Sequence, residues 1–167
     1  MKWSPNDDMT AVTYNTDATL NQNCSLSSVA IVARNSHFLV ICCGMGWTPK
    51  PFDTNMSEAI GTALSIRSVN GAKKIIIQSD NKNVVDLIAK KKRKRNTQKN
   101  TNPNNKDNPI DEALSVVEDF LDPNSLTQYG ITVELEHIPW VQNPVADHLA
   151  LLTRRLSHEV MSATLVQ

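Results

Sequence analysis

The stretch KKIIIQSDNKNVVDLIAK, residues 73 to 90, decides the fold. Side chains alternate across a strand, so the consecutive Ile75, Ile76 and Ile77 imply a strand over residues 73 to 78 with apolar cover on both faces. Asp80 follows two residues after Gln78, and residues 82 to 90 read as a helix. Just upstream, Met56, Ile60, Ala63, Leu64 and Arg67 recur at three and four, with Asp53, Thr54 or Asn55 able to cap the start. That spacing predicts a helix over about 54 to 70, ending near Asn70 and Gly71. Helix, strand and helix in this order imply a crossover onto a mixed α/β sheet.

Working outward to the N-terminus, residues 11 to 16, 28 to 34 and 38 to 43 are three short β-rich runs, the last two separated by Asn35, Ser36 and His37. They predict an antiparallel meander, with a first turn over residues 21 to 27 and an exit loop over residues 44 to 51. Toward the C-terminus, residues 90 to 109, KKKRKRNTQKNTNPNNKDNP, offer no side chain able to anchor a core apart from two prolines, and are expected to be a disordered insertion. A helix over about 110 to 121 is stopped by Pro123, and residues 130 to 138 make the last strand. Pro144 opens a final helix whose apolar face carries Val145, Leu149, Leu152, Leu156 and Val160.

The 167 residues suit one domain, with a core over about 10 to 162. Aromatic residues make up 5% of the chain, so aliphatic side chains should do most of the packing. The formal net charge of zero conceals a segregation. Between Lys82 and Lys106 nine Lys or Arg face one acid, Asp86, a local +8; the remaining eight basic and sixteen acidic residues carry −8. Cys24, Cys42 and Cys43 form an odd set without zinc-type spacing, which suits a reducing compartment, with the thiols packed as small buried hydrophobes. No secretory h-region and no membrane-length apolar run is seen, so an intracellular protein with no membrane partner is expected.

Four acids occupy four local contexts: Asp17 closes AVTYNTD, Glu58 opens the helix over 54 to 70, Asp80 ends IIIQSD, and Asp147 lies in the first turn of the last helix. Two strand ends and two helix starts could bring them to one point. Clustered carboxylates repel, so a cation is needed to keep them ionised, and oxygen ligands select Mg²⁺ or Mn²⁺ over zinc. Two such ions about 4 Å apart could activate a water and stabilise the leaving 3′ oxygen of a phosphodiester. Taken singly, each acid is more readily a solvated surface residue.

Five segments in order carry a resemblance: KWSPNDDMTAVTYNTDAT, SSVAIVARNSHFLV, MSEAIGTALSIRSV, KKIIIQSDNKNVVDLI and HIPWVQNPVADHLA. Together they resemble the ribonuclease H family, most closely the plant ribonuclease H-like domains found in retroelement-derived reverse transcriptases and as stand-alone proteins. The resemblance implies a ribonuclease H-like fold, a five-stranded mixed sheet flanked by helices. It makes Asp17, Glu58, Asp80 and Asp147 the catalytic, metal-coordinating acids, with two Mg²⁺ ions expected alongside substrate and Mn²⁺ as a substitute. The implied reaction is endonucleolytic cleavage of the RNA strand of an RNA–DNA hybrid; the chain itself is expected to be a monomer. A catalytically silent nucleic-acid-binding module of retroelement origin is the alternative.

Asn143 fits a family position near the final helix, where it fixes the turn, and His137 reads as a structural residue at a strand end. Three departures stand out. Trp140 replaces the usual Arg and could stack on a base or sugar or simply pack; Phe38 occupies a hairpin position usually held by Gly; Gln78 replaces a usual Glu. The run Lys90, Lys91, Lys92, Arg93, Lys94 and Arg95 has three compatible readings: a solvated charged linker, a nuclear import element for an import receptor, or a phosphate-binding arm. With Trp140 and Asn143 it completes the nucleic-acid-binding candidates.

Overall fold

The computed structural model describes residues 11–21, 26–48, 62, 65, 72–97 and 130–164. Five strands, β1 (Ala11–Asn21), β2 (Leu26–Arg34), β3 (Val40–Thr48), β4 (Lys74–Ser79) and β5 (Thr132–His137), form one sheet in the order β3-β2-β1-β4-β5. β1, β2 and β3 make the expected antiparallel meander, while β4 and β5 join in parallel, giving a mixed sheet. Helix α1 (Lys82–Thr97) follows β4, and helix α2 (Pro144–Thr164) follows a short 3-10 turn at Trp140–Gln142. Of the expected helix over 54 to 70, Thr62 and Ser65 are described, both helical and buried; the expected helix over 110 to 121 lies outside the described residues.

One sheet face is the apolar core. Val12, Tyr14, Ala33, Ile75, Ile77 and Val133 pack there with Ala72, and burying each isoleucine contributes about 1.5–3 kcal/mol. The three isoleucines do not behave alike. Ile75 and Ile77 are buried but Ile76 is half-exposed, because it points to the opposite face, where the β4–β5 half carries polar side chains instead of a second apolar layer. On that opposite face α2 lies against β1 and β2 and reaches β3.

The contact face of α2 is not the leucine stripe. Ala146, Ala150, Thr153 and Ser157 are buried, whereas Val145, Leu152 and Leu156 are exposed. Small residues let the helix backbone come close to the sheet, and the two hydroxyls cost little to bury because Thr153 Oγ1 donates to Leu149 O (2.7 Å) and Ser157 Oγ donates to Arg154 O (2.9 Å). Other expectations are corrected too. β1 runs past residue 16 to Asn21, and β3 continues through the expected exit loop to Thr48. Cys42 and Cys43 are exposed, not buried, since β3 is an edge strand among the described residues and little covers it. The backbone of residues 90 to 97, expected as the start of a disordered insertion, continues α1.

The β2–β3 hairpin shows how a single residue departs from local preference. Asn35 Oδ1 accepts from the backbone N–H of His37 and of Leu39 (both 3.0 Å), and Phe38 N–H donates to Asn35 O (2.9 Å). The loop needs a left-handed residue at its end, and Phe38 supplies it at φ 61. A side chain in that region costs about 1–2 kcal/mol. Phe38 is 77% exposed, so its ring returns little packing. Phe38→Gly is therefore expected to stabilise the protein by about 1 kcal/mol in urea denaturation; an unchanged or lowered midpoint would show that the ring contributes more than the strain.

Candidate active site

The parallel register of β1 and β4 positions the first two acids. Asn15 pairs with Gln78 and Thr16 with Ser79, so the next residues, Asp17 and Asp80, stand abreast on the same face. Asp17 lies within β1, opposite Ala30 of β2, and is buried. Asp80 leaves the end of β4 and is held in place by the start of α1. Asn81 caps that helix, its Oδ1 accepting from Val84 N–H (3.3 Å) while its own N–H donates to Ser79 Oγ (3.1 Å), and Lys82 N–H donates to Asp80 O (3.1 Å).

The third acid arrives with α2. Pro144 occupies the first helical position, and Asp147 lies in the first turn, where its N–H donates to Asn143 O (3.1 Å). Asn143 is buried, and its Nδ2 donates to Thr16 O (2.9 Å), pinning the helix start to β1 beside Asp17. The Asn143 side chain also hydrogen-bonds Asp80. Its Oδ1 is buried with no hydrogen-bond partner, an acceptor at the junction of β1, β4 and α2.

Burial holds the Asp80 carboxyl above its usual range, with the negative charge of Asp147 adding to the effect; the backbone hydrogen bond at Asp80, the His137 ring and the Asn143 side chain pull the other way without cancelling it. His137, at the end of β5 and paired with Ser79, thus stands close enough to act on Asp80, a placement that its reading as a strand-end structural residue left out. Asp17, Asp80, Asp147, Asn143 and His137 come to one end of the sheet. Glu58 lies outside the described residues. Among the described residues no three His, Cys, Asp or Glu side chains form a group able to hold a metal ion.

Behind the acids a polar ladder crosses four strands. Arg34 Nη1 donates to Asn15 Oδ1, Asn15 Nδ2 to Gln78 Oε1 (3.0 Å), and Gln78 Nε2 to Glu136 Oε2 (2.9 Å). An amide at position 78 can accept from one neighbour and donate to the other. A carboxylate there would face Glu136, which gives the Gln78 departure a physical reason. Trp140 and Val141 are exposed on the 3-10 turn, Trp140 at 74%, so Trp140 does not pack inward. Lys90 is exposed, and residues 90 to 95 have a helical backbone, which spans roughly 9 Å where an extended tether would span about 20 Å.

The raised Asp80 carboxyl makes a prediction for stability. Its folded value lies above the ordinary 3.8, so the protein loses stability as pH rises from that value through the folded one, and the loss persists at neutral pH. Without divalent cations, Asp80→Asn is expected to melt higher than the natural chain at neutral pH, with the gap closing below pH 3.8. Melting curves across this range check it; a variant that melts lower at neutral pH would show the carboxylate to be stabilised by its neighbours.

Comparison with known proteins agrees with this fold. Residues 15–106, more than half of the chain, match the family described as reverse transcriptase-like. No curated protein sequence matches significantly. Among solved structures, the N-terminal RNase H domain of a Mycobacterium tuberculosis protein superposes with a TM-score of 0.67 at 15% identity, covering 91% of this chain and 99% of that one. RNase H1 from the archaeon Halobacterium salinarum gives 0.62 at 16% identity, covering 84% and 97%. A foamy viral protease-reverse transcriptase in complex with an RNA/DNA hybrid gives 0.62 at 15% identity, covering 92% of this chain and 21% of that one. With residues 15–106 matched and the mixed sheet shared with these structures, the chain belongs to the reverse transcriptase-like, ribonuclease H-like family and has the ribonuclease H fold.

Proposed function

We propose that the chain hydrolyses the RNA strand of RNA–DNA hybrids in the presence of Mg²⁺. The observation that carries this reading is the β1–β4 register that sets Asp17 and Asp80 on adjacent strands, with Asp147 and the buried Asn143 acting on Asp80. The donor chemistry suits a hard cation, although the three carboxylates do not stand as a formed metal-binding group among the described residues. It offers carboxylate oxygens and an unpartnered amide oxygen, and Asp80 is a carboxyl whose ionisation a positive charge would favour. Asp17, Asp80 and Asp147 would hold Mg²⁺, or Mn²⁺ in its place, with Glu58 as the fourth acid. A bound divalent ion supplies positive charge against the phosphodiester and lowers the pKa of a coordinated water. The protein's own contribution is positioning: β4 and the Asn81 cap fix Asp80, while Asn143 ties the start of α2 to β1. The foamy viral relative bound to an RNA/DNA hybrid supports the substrate class.

A hybrid needs no base-reading pocket, because its A-like shape and the 2′-hydroxyls of one strand distinguish it. Trp140, exposed on the turn before α2, offers a stacking surface for a base or sugar. Residues 90 to 95 would contact phosphates, offsetting the −8 carried by the rest of the chain outside residues 82 to 106.

Incubating the chain with a labelled hybrid and Mg²⁺, beside Asp80→Asn, tests the reaction: cleavage by the natural chain and about a hundredfold less or none by the variant are expected. Equal cleavage by both defeats the assignment. Hybrid retention without product from either chain supports the binding-only alternative. Replacing the six cations of residues 90 to 95 by Gln, a good helix former, keeps α1 while removing charge. Hybrid binding should weaken, and the slope of log affinity against log salt should flatten by about 0.7–0.9 for each phosphate no longer neutralised; an unchanged slope would exclude the arm from the interface.

A further inference from the structure

Among the described residues, the two edges of the sheet are built differently. β5 carries Glu134 and Glu136 along its length, and Glu134 pairs with Lys74 at 2.9 Å, so a strand laid against that edge would meet charge. β3 has no such guard. No Lys, Arg, Asp or Glu occurs between Arg34 and Lys50, and β3 contains no proline. Its side chains on the α2 face, Cys43, Met45 and Trp47, are all exposed, with Met45 at 52% and Trp47 at 45%.

α2 extends this apolar surface. At about 100° per residue, Val145, Leu149, Leu152 and Leu156 lie on one flank of the helix, roughly a quarter turn from its buried face, and Asp147 and Arg154 lie on the other. Arg154 Nη1 donates to Thr19 Oγ1 of β1 (3.2 Å), and Asp147 faces Asp80, so that flank looks toward β1 and β4. The leucine flank therefore looks toward β3, on the same side of the sheet as Cys43, Met45 and Trp47. Among the described residues, edge strand and helix flank form one largely exposed apolar surface.

We propose that a second copy of this chain pairs with β3, antiparallel and about a two-fold axis at Gly44, to make a continuous sheet through both copies. The sequence of β3 is its own complement in that register. Cys43 stands opposite Met45 of the other copy and Ile41 opposite Trp47, while Gly44 meets Gly44. Each pair is apolar, and no like charges are set opposite one another. The same operation on β5 would bring glutamates together, which is why association uses this edge. Cys43, Met45 and Trp47 of both copies then floor a trough walled by the two leucine flanks.

Sedimentation equilibrium of the full chain at micromolar concentration is expected to show a dimer. Met45→Lys and Trp47→Lys should each weaken it at least about tenfold with an unchanged circular dichroism spectrum, while Thr132→Lys on β5 should not. The register has its own readout: in a Cys42→Ser background, Met45→Cys should form a covalent dimer on mild oxidation through Cys43 of the opposite copy. A monomer at every concentration, association that survives both lysine substitutions, or oligomers growing beyond two copies would each overturn the proposal.

Discussion

The pairing of β1 with β4 is the constraint on which the candidate site depends. Both strands are parallel neighbours, and a slip of one residue would send every side chain of one strand to the opposite face. Asp17 and Asp80 fall side by side on neighbouring strands only in the observed register. The ladder from Arg34 through Asn15 and Gln78 to Glu136 bears on that register, because each member would lose its partners in any other. On the other face, Val12 and Tyr14 beside Ile75 and Ile77 impose the same alignment through burial. Polar and apolar faces thus specify one alignment, which is the one that sets the two carboxylates abreast.

The site also needs an element from far along the chain. α2 approaches the sheet closely because its inner face is Ala146, Ala150, Thr153 and Ser157, and Asn143 fixes where its first turn begins. The cost is local: Asn143 leaves one amide oxygen unpartnered and Asp80 has a carboxyl that burial discourages from ionising. Such tension at the meeting point of several elements is what singles out this end of the sheet as the candidate site.

Much of this was legible from residues. The change of period after Asp80 gave the strand-to-helix junction, and the three β-rich runs gave the meander. Asp17 and Asp80 could be read as neighbours, although β1 runs past Asp17 instead of ending there. What failed was any judgement of which apolar stripe faces inward. The leucines of α2 form the greasiest stripe, yet close approach to a sheet favours the alanines and hydroxyls beside them. Cys42 and Cys43 misled in the same way, since composition cannot tell an edge strand from a central one. The polar ladder and the placement of His137 depend on strand pairing and have no signature within any single segment. Glu58 and the helix expected over 110 to 121 fall outside the described residues.

The hydrogen bond from Asn143 to Thr16 joins positions 127 apart. The contact thus joins the first strand to the last helix of the described chain. While the ribosome is still adding β5, a nascent chain already holds Asp17 and Asp80 but has neither Asn143 nor Asp147 to complete their surroundings. A product stopping before α2 would therefore carry half of the candidate site and lack the Asn143 tie that joins α2 to β1.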